Sequence, residues 1–361
     1  PGWGRGRIDD CGERGLMAKV GIINVTGYGG VELARLLHHH PHVELVSVTG
    51  RGAVGQRLSQ VFPHLADISL EVTAELGKVD LAFSALPHRA SVEALLPLVS
   101  QGVKVVDISA DLRLKEPGDY EVWYDYSHPS PELLDKAVYG IPELRRKEVV
   151  SSNLVANPGC YPTSAILALA PAVRERMIGS DIIIDAKSGV SGAGRTLSLG
   201  THYSEVNENF SAYGLEGHRH LPEIEQELGA LETGGAEYNI TFVPHLVPMT
   251  RGIFSTCYVM PREGGLALGE MGREELKKLY REFYKGEPFV KIVDTPPQTK
   301  HTWGNNLCLI YPTMDLRTGR IVIVSCLDNL VKGAAGQAIQ NMNLMLGFPE
   351  TTGLEALALY P

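Results

Sequence analysis

At 361 residues the chain suits two domains, and its 44 % hydrophobic and 21 % charged content is ordinary for a soluble globular protein. A formal net charge of −9 and the absence of any Lys/Arg block exclude nucleic acid as the main partner. No apolar run reaches the ~18 residues of a membrane span. Residues 1–16 are rich in Gly and Arg without the apolar stretch of a signal peptide, and Met17 directly precedes the first periodic segment. They are read as a leader or expression remnant.

Lys19 to Ile23 is an apolar run ending in Asn24-Val25-Thr26-Gly27-Tyr28-Gly29-Gly30, and Val31 to Leu37 follows as a helix. With a second strand from Val43 to Val48 this makes a βαβ unit of dinucleotide-binding type. Its bare backbone lets a pyrophosphate approach the helix N-terminus. Asn24 stands where the first glycine of a G-x-x-G-x-x-G series would be, and Asn tolerates left-handed backbone better than most residues. The second strand ends in Thr49-Gly50-Arg51 with no carboxylate, which favours NADP over NAD because Arg suits a 2′-phosphate.

The alternation continues with a strand from Asp80 to Ala85 leading into Leu86-Pro87-His88, and a helix from Ala90 to Ser100. A strand from Val103 to Ile108 then ends in Ser109-Ala110-Asp111-Leu112-Arg113. Such a pattern calls for a parallel, doubly wound sheet with ligands at the carboxyl ends of its strands. Tyr120 to Pro142 reads as an irregular excursion. Leu154 to Asn157 is a last short strand that delivers Asn157-Pro158-Gly159-Cys160-Tyr161-Pro162-Thr163. Pro162 fits a first helical turn, and good helix formers run from Ser164 to Val173. Cys160 is therefore expected just before a helix N-terminus, where free N–H groups and the dipole favour a thiolate over a thiol.

Past Val173 a strand from Asp181 to Ala186 leads into the polar loop Lys187-Ser188-Gly189-Val190-Ser191-Gly192-Ala193-Gly194-Arg195, suited to cradling an anion. Next comes Gly217-His218-Arg219-His220-Leu221-Pro222-Glu223-Ile224. Glu223 lies three residues after His220, so one helical turn would let its carboxylate orient that imidazole. Tyr238 to Val243, Gly252 to Met260, Asn306 to Tyr311 and Arg320 to Cys326 alternate as strands of an antiparallel or mixed sheet. Glu274 to Phe283 is an amphipathic helix. Asp328-Asn329-Leu330-Val331-Lys332-Gly333-Ala334-Ala335-Gly336-Gln337 opens a final helix to about Leu346, with small residues that permit close backbone approach. The five cysteines, Cys11, Cys160, Cys257, Cys308 and Cys326, are odd in number and lack any C-x-x-C. Neither a metal site nor a disulfide framework is expected, and free thiols point to a reducing, cytoplasmic setting.

The Asn-Pro-Gly-Cys-Tyr-Pro-Thr, Lys-Ser-Gly-Val-Ser-Gly-Ala-Gly-Arg and Gly-His-Arg-His-Leu-Pro-Glu-Ile motifs resemble those of the N-acetyl-gamma-glutamyl-phosphate reductase family. So do Leu-Pro-His at 86–88 and the Asp-Asn-Leu-Val-Lys-Gly run, and the resemblance extends from Lys19 to the C-terminus. Asn24-Val25, where the family usually has Gly-Ala, and Gly50, where a serine is common, depart from it. The resemblance implies NADPH-dependent reduction of N-acetyl-L-glutamyl 5-phosphate to the 5-semialdehyde in arginine biosynthesis. It also implies a Rossmann domain, an α/β catalytic domain of the semialdehyde-dehydrogenase kind, and a homodimer or homotetramer. The expected division is 17–158, completed by the C-terminal helix in 331–361, for NADP binding, and 159–330 for catalysis and oligomerisation.

An acyl phosphate is an activated carboxyl group, and a thiolate displaces its phosphate to leave a thioester. Cys160 is the expected nucleophile, with His220 as acid and base, oriented by Glu223, and His218 as the alternative. Arg113, Lys187, Arg195 and Arg219 are candidates to hold phosphate and carboxylate. Thr26, Gly27, Tyr28, Gly29, Gly30, Arg51, Ser84, Pro87, His88 and Asn329 should line the NADP site. A reductase of carrier-protein-linked aminoadipyl phosphate in lysine synthesis shares the cysteine and histidine motifs. A protein that only senses NADP would not need Cys160, the His pair and the loop cations together.

Overall fold

The computed structural model describes residues 17–232 and 234–361, so the expectation for residues 1–16 lies outside the described residues. The first sheet holds β1 (Ala18–Ile23), β2 (Val43–Thr49), β3 (Val72–Thr73), β4 (Leu81–Ser84), β5 (Lys104–Asp107), β6 (Val138–Tyr139) and β7 (Leu154–Ala156). All its pairings are parallel, in the order β3-β2-β1-β4-β5-β7-β6. These strands are short and apolar because helices cover both faces; every residue of β4 is buried. Winding reverses between β1 and β4, and the glycine turn after β1 and the Leu86-Pro87-His88 turn after β4 meet at that switch point.

The second sheet holds β8 (Ile178–Gly189), β9 (Ser211–Ala212), β10 (Asn239–Val247), β11 (Ile253–Pro261), β12 (Val290–Ile292), β13 (Cys308–Asp315) and β14 (Arg320–Leu327). Its order is β12-β13-β14-β11-β8-β10-β9, and it is mixed: β8 with β10 and β12 with β13 are parallel, the rest antiparallel. One face packs on the helix Cys160–Arg174, with Ile166 and Leu169 in one core with Ile182, Ile184, Cys257 and Ile323. Along β8, Ile182, Ile184 and Ala186 are buried while Ile183, Asp185 and Lys187 are not, so the strand's period of two sends Lys187 to the other face.

The Tyr120–Pro142 stretch is more ordered than the sequence reading allowed. It carries the end of a helix Pro117–Tyr124, a helix Pro131–Lys136 and β6. Both helices open on a proline, whose fixed φ suits a first turn, but they are too short to show periodicity. Helix Pro142–Ser151 also escaped notice, because its charged run Arg145-Arg146-Lys147-Glu148 hides the apolar signal.

The C-terminal segment returns to the first sheet. Val331–Ala335 forms a π turn and Gly336–Leu346 a buried helix, and Ile339 and Met342 share a core with Val20, Ile22 and Leu33. Its buried amide NH2 groups find acceptors, though the Gln337 and Asn341 side-chain oxygens find no donor among the described residues: Gln337 and Asn341 both donate to the Gly140 carbonyl, at 2.6 and 2.9 Å, and Asn341 also donates to Asn157 at 3.1 Å. The fully buried Lys332 ammonium donates to Glu143 at 2.6 Å and to Gln340 at 2.8 Å. Burial would lift the Glu143 carboxyl, but Lys332 holds it below its ordinary value.

The two sheets are also tied by Arg251, whose guanidinium straddles the buried Glu32 of helix Tyr28–Leu37 at 3.2 and 2.8 Å. Its Nη1 also lies 3.5 Å from Asp328. Arg251→Ala leaves both carboxylates short of a partner and is expected to cost about 1–3 kcal/mol of unfolding free energy, measured by urea titration.

Candidate active site

The site is built where β7 runs into the helix Cys160–Arg174. Gly159 is its N-cap in extended backbone, and Cys160 is the first helical residue, so the helix begins slightly earlier than the proline pattern suggested. The helix has no acidic residue in its first turn and no side-chain cap. The N–H groups of Cys160 and Tyr161 therefore point at the half-buried sulfur and stabilise its anion. Burial wins nonetheless, pushing the Cys160 thiol up to about 11, against the pull of Arg113 and those N–H groups. At neutral pH the resting residue is a thiol, so attack requires a base. The helix end favours the thiolate as expected, but burial outweighs it, which leaves the expected base essential.

His220 flanks the cysteine's turn. A Cβ built on Gly159 would fall 2.6 Å from His220 Nε2 and 2.8 Å from Arg113 Nη1, so only glycine lets the imidazole lie against the cysteine's turn. On the other side, a Cβ on Gly333 would fall 2.7 Å from the Cys160 Cβ. The cysteine is thus pressed between a histidine loop and the π turn, and both contacts need bare backbone. Burial, then His218 and Arg113, hold the His220 imidazole well below its ordinary value. It rests neutral, able to take a proton, and its buried Nδ1 has no partner among the described residues. His218 lies 4.9 Å away, ring to ring, and accepts the His220 backbone N–H on its Nδ1 at 3.1 Å. Burial and Arg219 bring it down to about 4. Tyr161, Tyr213 and Phe242 pack edge-on around His218.

Glu223 does not do what its spacing suggested. Its Oε1 accepts the Gly159 N–H at 2.8 Å and the Tyr139 hydroxyl at 2.6 Å, and its Oε2 meets Arg113 at 3.3 Å. Helix Leu221–Gly229 brings this carboxylate to the cysteine turn, and no hydrogen bond joins it to the His220 imidazole among the described residues. Arg113 is likewise committed. It is buried, donates to the Asn157 carbonyl at 2.8 Å and the Ile108 carbonyl at 2.7 Å, and braces the turn rather than reaching an open cleft. Tyr139, 84 residues from Glu223, lay in a stretch with no periodic signal. No sequence feature pointed to it.

The remaining cations separate. Lys187 pairs with Asp185 at 2.5 Å on the face of β8 opposite the cysteine helix, beside His245, and is not part of this site. Arg195 crosses to the first sheet, donating to the Thr26 carbonyl at 3.0 Å with its guanidinium over the Phe62 ring at 4.9 Å. It joins the glycine turn, not the substrate cleft. Arg219 alone stays at the cleft, exposed, 2.8 Å from His88 Nε2.

The dinucleotide turn has the expected form. Asn24 takes φ +66° and donates to the Ala85 carbonyl at 2.8 Å, so it fills the glycine position in left-handed backbone. A Cβ on Gly30 would fall 2.4 Å from the Asn24 carbonyl oxygen, so Gly30 is what lets helix Tyr28–Leu37 approach β1. That helix starts at Gly27 without a capping side chain or an acidic first turn, which leaves Gly27, Tyr28 and Gly29 free to face a pyrophosphate. Arg51 is exposed just past β2, and no hydrogen bond or ion pair occupies it among the described residues. Gly50 has a local reason: a Cβ there would meet the Thr26 methyl at 2.9 Å. Ser84 is fully buried and shares a hydrogen bond with Ser91 at 2.7 Å, so its hydroxyl shapes the turn from below. Pro87 and His88 face the cleft from the first sheet. From the second, Asn329 accepts the Gly252 N–H at 2.7 Å and donates to Ser191 at 2.9 Å. The glycine turn, Arg51 and Asn329 fit a nicotinamide dinucleotide carrying a 2′-phosphate, whereas His88 is engaged by Arg219.

A parallel dinucleotide sheet joined to a mixed sheet that supports a cysteine at a helix N-terminus defines a semialdehyde dehydrogenase. Residues 19–152 match the semialdehyde dehydrogenase NAD binding domain and residues 160–329 the semialdehyde dehydrogenase dimerisation domain. The solved aspartate semialdehyde dehydrogenase II of Vibrio cholerae superposes with a TM-score of 0.65 at 17 % identity, over 92 % of this chain and 99 % of that one. The Candida albicans aspartate semialdehyde dehydrogenase with NADP gives 0.67 at 15 %, with 92 % and 99 % covered. Both likenesses concern the fold. A curated N-acetyl-gamma-glutamyl-phosphate reductase of Dehalococcoides mccartyi is 54 % identical over 344 residues, 95 % of this chain and 99 % of the relative. That of Geotalea daltonii is 50 % identical over 355 residues, 96 % of this chain and all of the relative. The chain belongs to the N-acetyl-gamma-glutamyl-phosphate reductase family. No helix among the described residues is long and apolar enough to cross a membrane.

Proposed function

We propose that this protein reduces N-acetyl-L-glutamyl 5-phosphate to N-acetyl-L-glutamate 5-semialdehyde and phosphate with NADPH, as a cytoplasmic homodimer or homotetramer of arginine biosynthesis. The observation that carries the reading is a cysteine at a helix N-terminus whose preceding residue, Gly159, lies against an imidazole with a buried Nδ1 that has no partner among the described residues. Residues 17–158 with 331–361 serve the cofactor, and 159–330 the chemistry and assembly.

The chemistry follows from the resting charges. His220 takes the Cys160 proton as sulfur attacks the acyl carbon. A carbon–sulfur bond forms, the carbon–oxygen bond to phosphate breaks, and the bonding pair leaves with phosphate. When bound, the reduced nicotinamide supplies the hydride that reduces the thioester. The His220 imidazolium then steadies the oxyanion and returns its proton to sulfur as the carbon–sulfur bond breaks and the aldehyde leaves. The choice of His220 over His218 is supported by its contact with Gly159, while His218 holds the His220 backbone. Glu223, Arg113 and Tyr139 fix the turn that aims the sulfur. Arg219 is the cation available for the substrate's phosphoryl group.

Phosphate-dependent NADP reduction, measured with N-acetylglutamate semialdehyde beside the aminoadipate analogue, tests the assignment. Turnover should be confined to the former, and preference for the latter would place the chain in the lysine-type reaction. Arg51→Ala should raise KM for NADPH about 10- to 100-fold by removing a charged contact to the 2′-phosphate, with little change for NADH. Equal changes for both would mean that Arg51 does not read that phosphate.

A further inference from the structure

The cleft is bridged by one contact that the mechanism does not use. Arg219 Nη1 approaches both ring nitrogens of His88, Nδ1 at 3.1 Å and Nε2 at 2.8 Å. Near-equal distances to the two nitrogens place the guanidinium over the ring, not along the lone pair of either. The same guanidinium lies 5.7 Å from the Tyr124 ring, and the Tyr124 hydroxyl donates to the Arg219 carbonyl at 3.3 Å. His88 and Tyr124 rings are 5.8 Å apart, so Arg219 is cradled by two aromatic faces carried by the first sheet's loops. A cation over a neutral ring is attracted, whereas a protonated ring would repel it. Burial, then Arg219 itself, keep the His88 imidazole below its ordinary value, which suits this arrangement.

The loop behind His88 is held firmly. Arg89 takes φ +71°, and the buried Asp111 carboxylate accepts the N–H groups of Arg89 at 2.7 Å and Ser91 at 2.9 Å. The imidazole therefore projects from a braced turn onto a long, otherwise flexible side chain. Arg219 sits between His218 and His220 in sequence, so its backbone is fixed one residue from the proposed acid and base. The anion attached at that carbon is the phosphoryl group, whereas the substrate carboxylate lies several carbons away.

We propose that His88, together with Tyr124, is a positioning residue for Arg219, stacking the guanidinium so that it meets the phosphoryl group of the acyl phosphate. His88 then acts on the phosphate side of the reaction and not by binding the dinucleotide. The inference rests on the function proposed above and deepens it.

Initial rates in the phosphate-consuming direction test it, with KM measured separately for phosphate, N-acetylglutamate semialdehyde and NADP. His88→Ala should raise KM for phosphate about three- to tenfold, the loss expected for a stacked cation, and leave the other two within about twofold. Arg219→Ala should raise it about tenfold or more, and the double variant no further, because His88 acts through Arg219. His88→Phe keeps a flat ring and should restore KM for phosphate to within about twofold of the unmodified protein. A rise in KM for NADP with phosphate unchanged, a rise in KM for the aldehyde alone, or multiplicative effects in the double variant would overturn the inference and leave the proposed function standing. Absence of phosphate-dependent turnover in the unmodified protein would overturn that function, and this inference with it.

Discussion

Cys160→Ser should lower acyl-phosphate reduction by at least about 10³-fold while NADP binding, followed by quenching of protein fluorescence, stays close to normal. The hydroxyl occupies the same place at the helix N-terminus but is a far weaker acid than the thiol. His220, resting neutral, cannot draw a proton from it as readily. Serine also makes an oxygen ester, which accepts hydride less readily than a thioester. The side chain is half-buried and small, so the substitution should not disturb folding, and a stability measurement checks that. Near-normal turnover of this variant would remove the thioester from the mechanism.

The second large effect belongs to Glu223. Its carboxylate takes the Gly159 N–H, the Tyr139 hydroxyl and the Arg113 guanidinium, all buried. Glu223→Ala leaves a buried arginine without its counter-charge and two donors without an acceptor. Breaking such a pair costs about 3–5 kcal/mol, read as a lower urea midpoint. Activity should fall with it, because the released turn carries the nucleophile, and displacements of about an ångström cost around 10²-fold in rate. Unchanged stability with a displaced pH–rate profile would instead mean that Glu223 acts through the His220 imidazole, as its spacing first suggested.

The elements that were legible in the sequence share a physical character. The βαβ opening is readable because a glycine turn between two apolar runs has few other uses, and Asn24 with φ +66° could be anticipated from the backbone freedom of asparagine. That a helix begins at or just after Cys160 followed from Pro162. The outlines of β8, β10, β11, β13 and β14 followed from alternation. The losses lie in contacts between distant segments. That Glu223 serves Gly159 and not His220 depends on the angle at which helix Leu221–Gly229 meets the turn, and no local spacing encodes it. Lys187 and Arg195 sit at either end of one polar loop, yet strand pleating sends the first behind the sheet and the loop carries the second to Thr26. Tyr139 and Gly333 were invisible as site residues for the same reason. Each matters through a close approach across the fold, not through its own chemistry.

The resting charges recast what the helix N-terminus does. The helix end was expected to favour a thiolate, with a histidine to take the proton; burial outweighs the helix end and holds the thiol at about 11, while the His220 imidazole lies well below its ordinary value. The N–H groups of the first turn then stabilise the anion during attack rather than before it.

The central claim is a covalent acyl group on Cys160. Mixing the protein with N-acetylglutamyl phosphate in the absence of reduced nicotinamide, quenching in acid, and mapping peptides by mass spectrometry tests it directly. The expected result is one N-acetylglutamyl group on the peptide carrying Cys160, labile to hydroxylamine and discharged by added NADPH. Full turnover on NADPH addition with no acylated Cys160 peptide at any time before it would contradict the account.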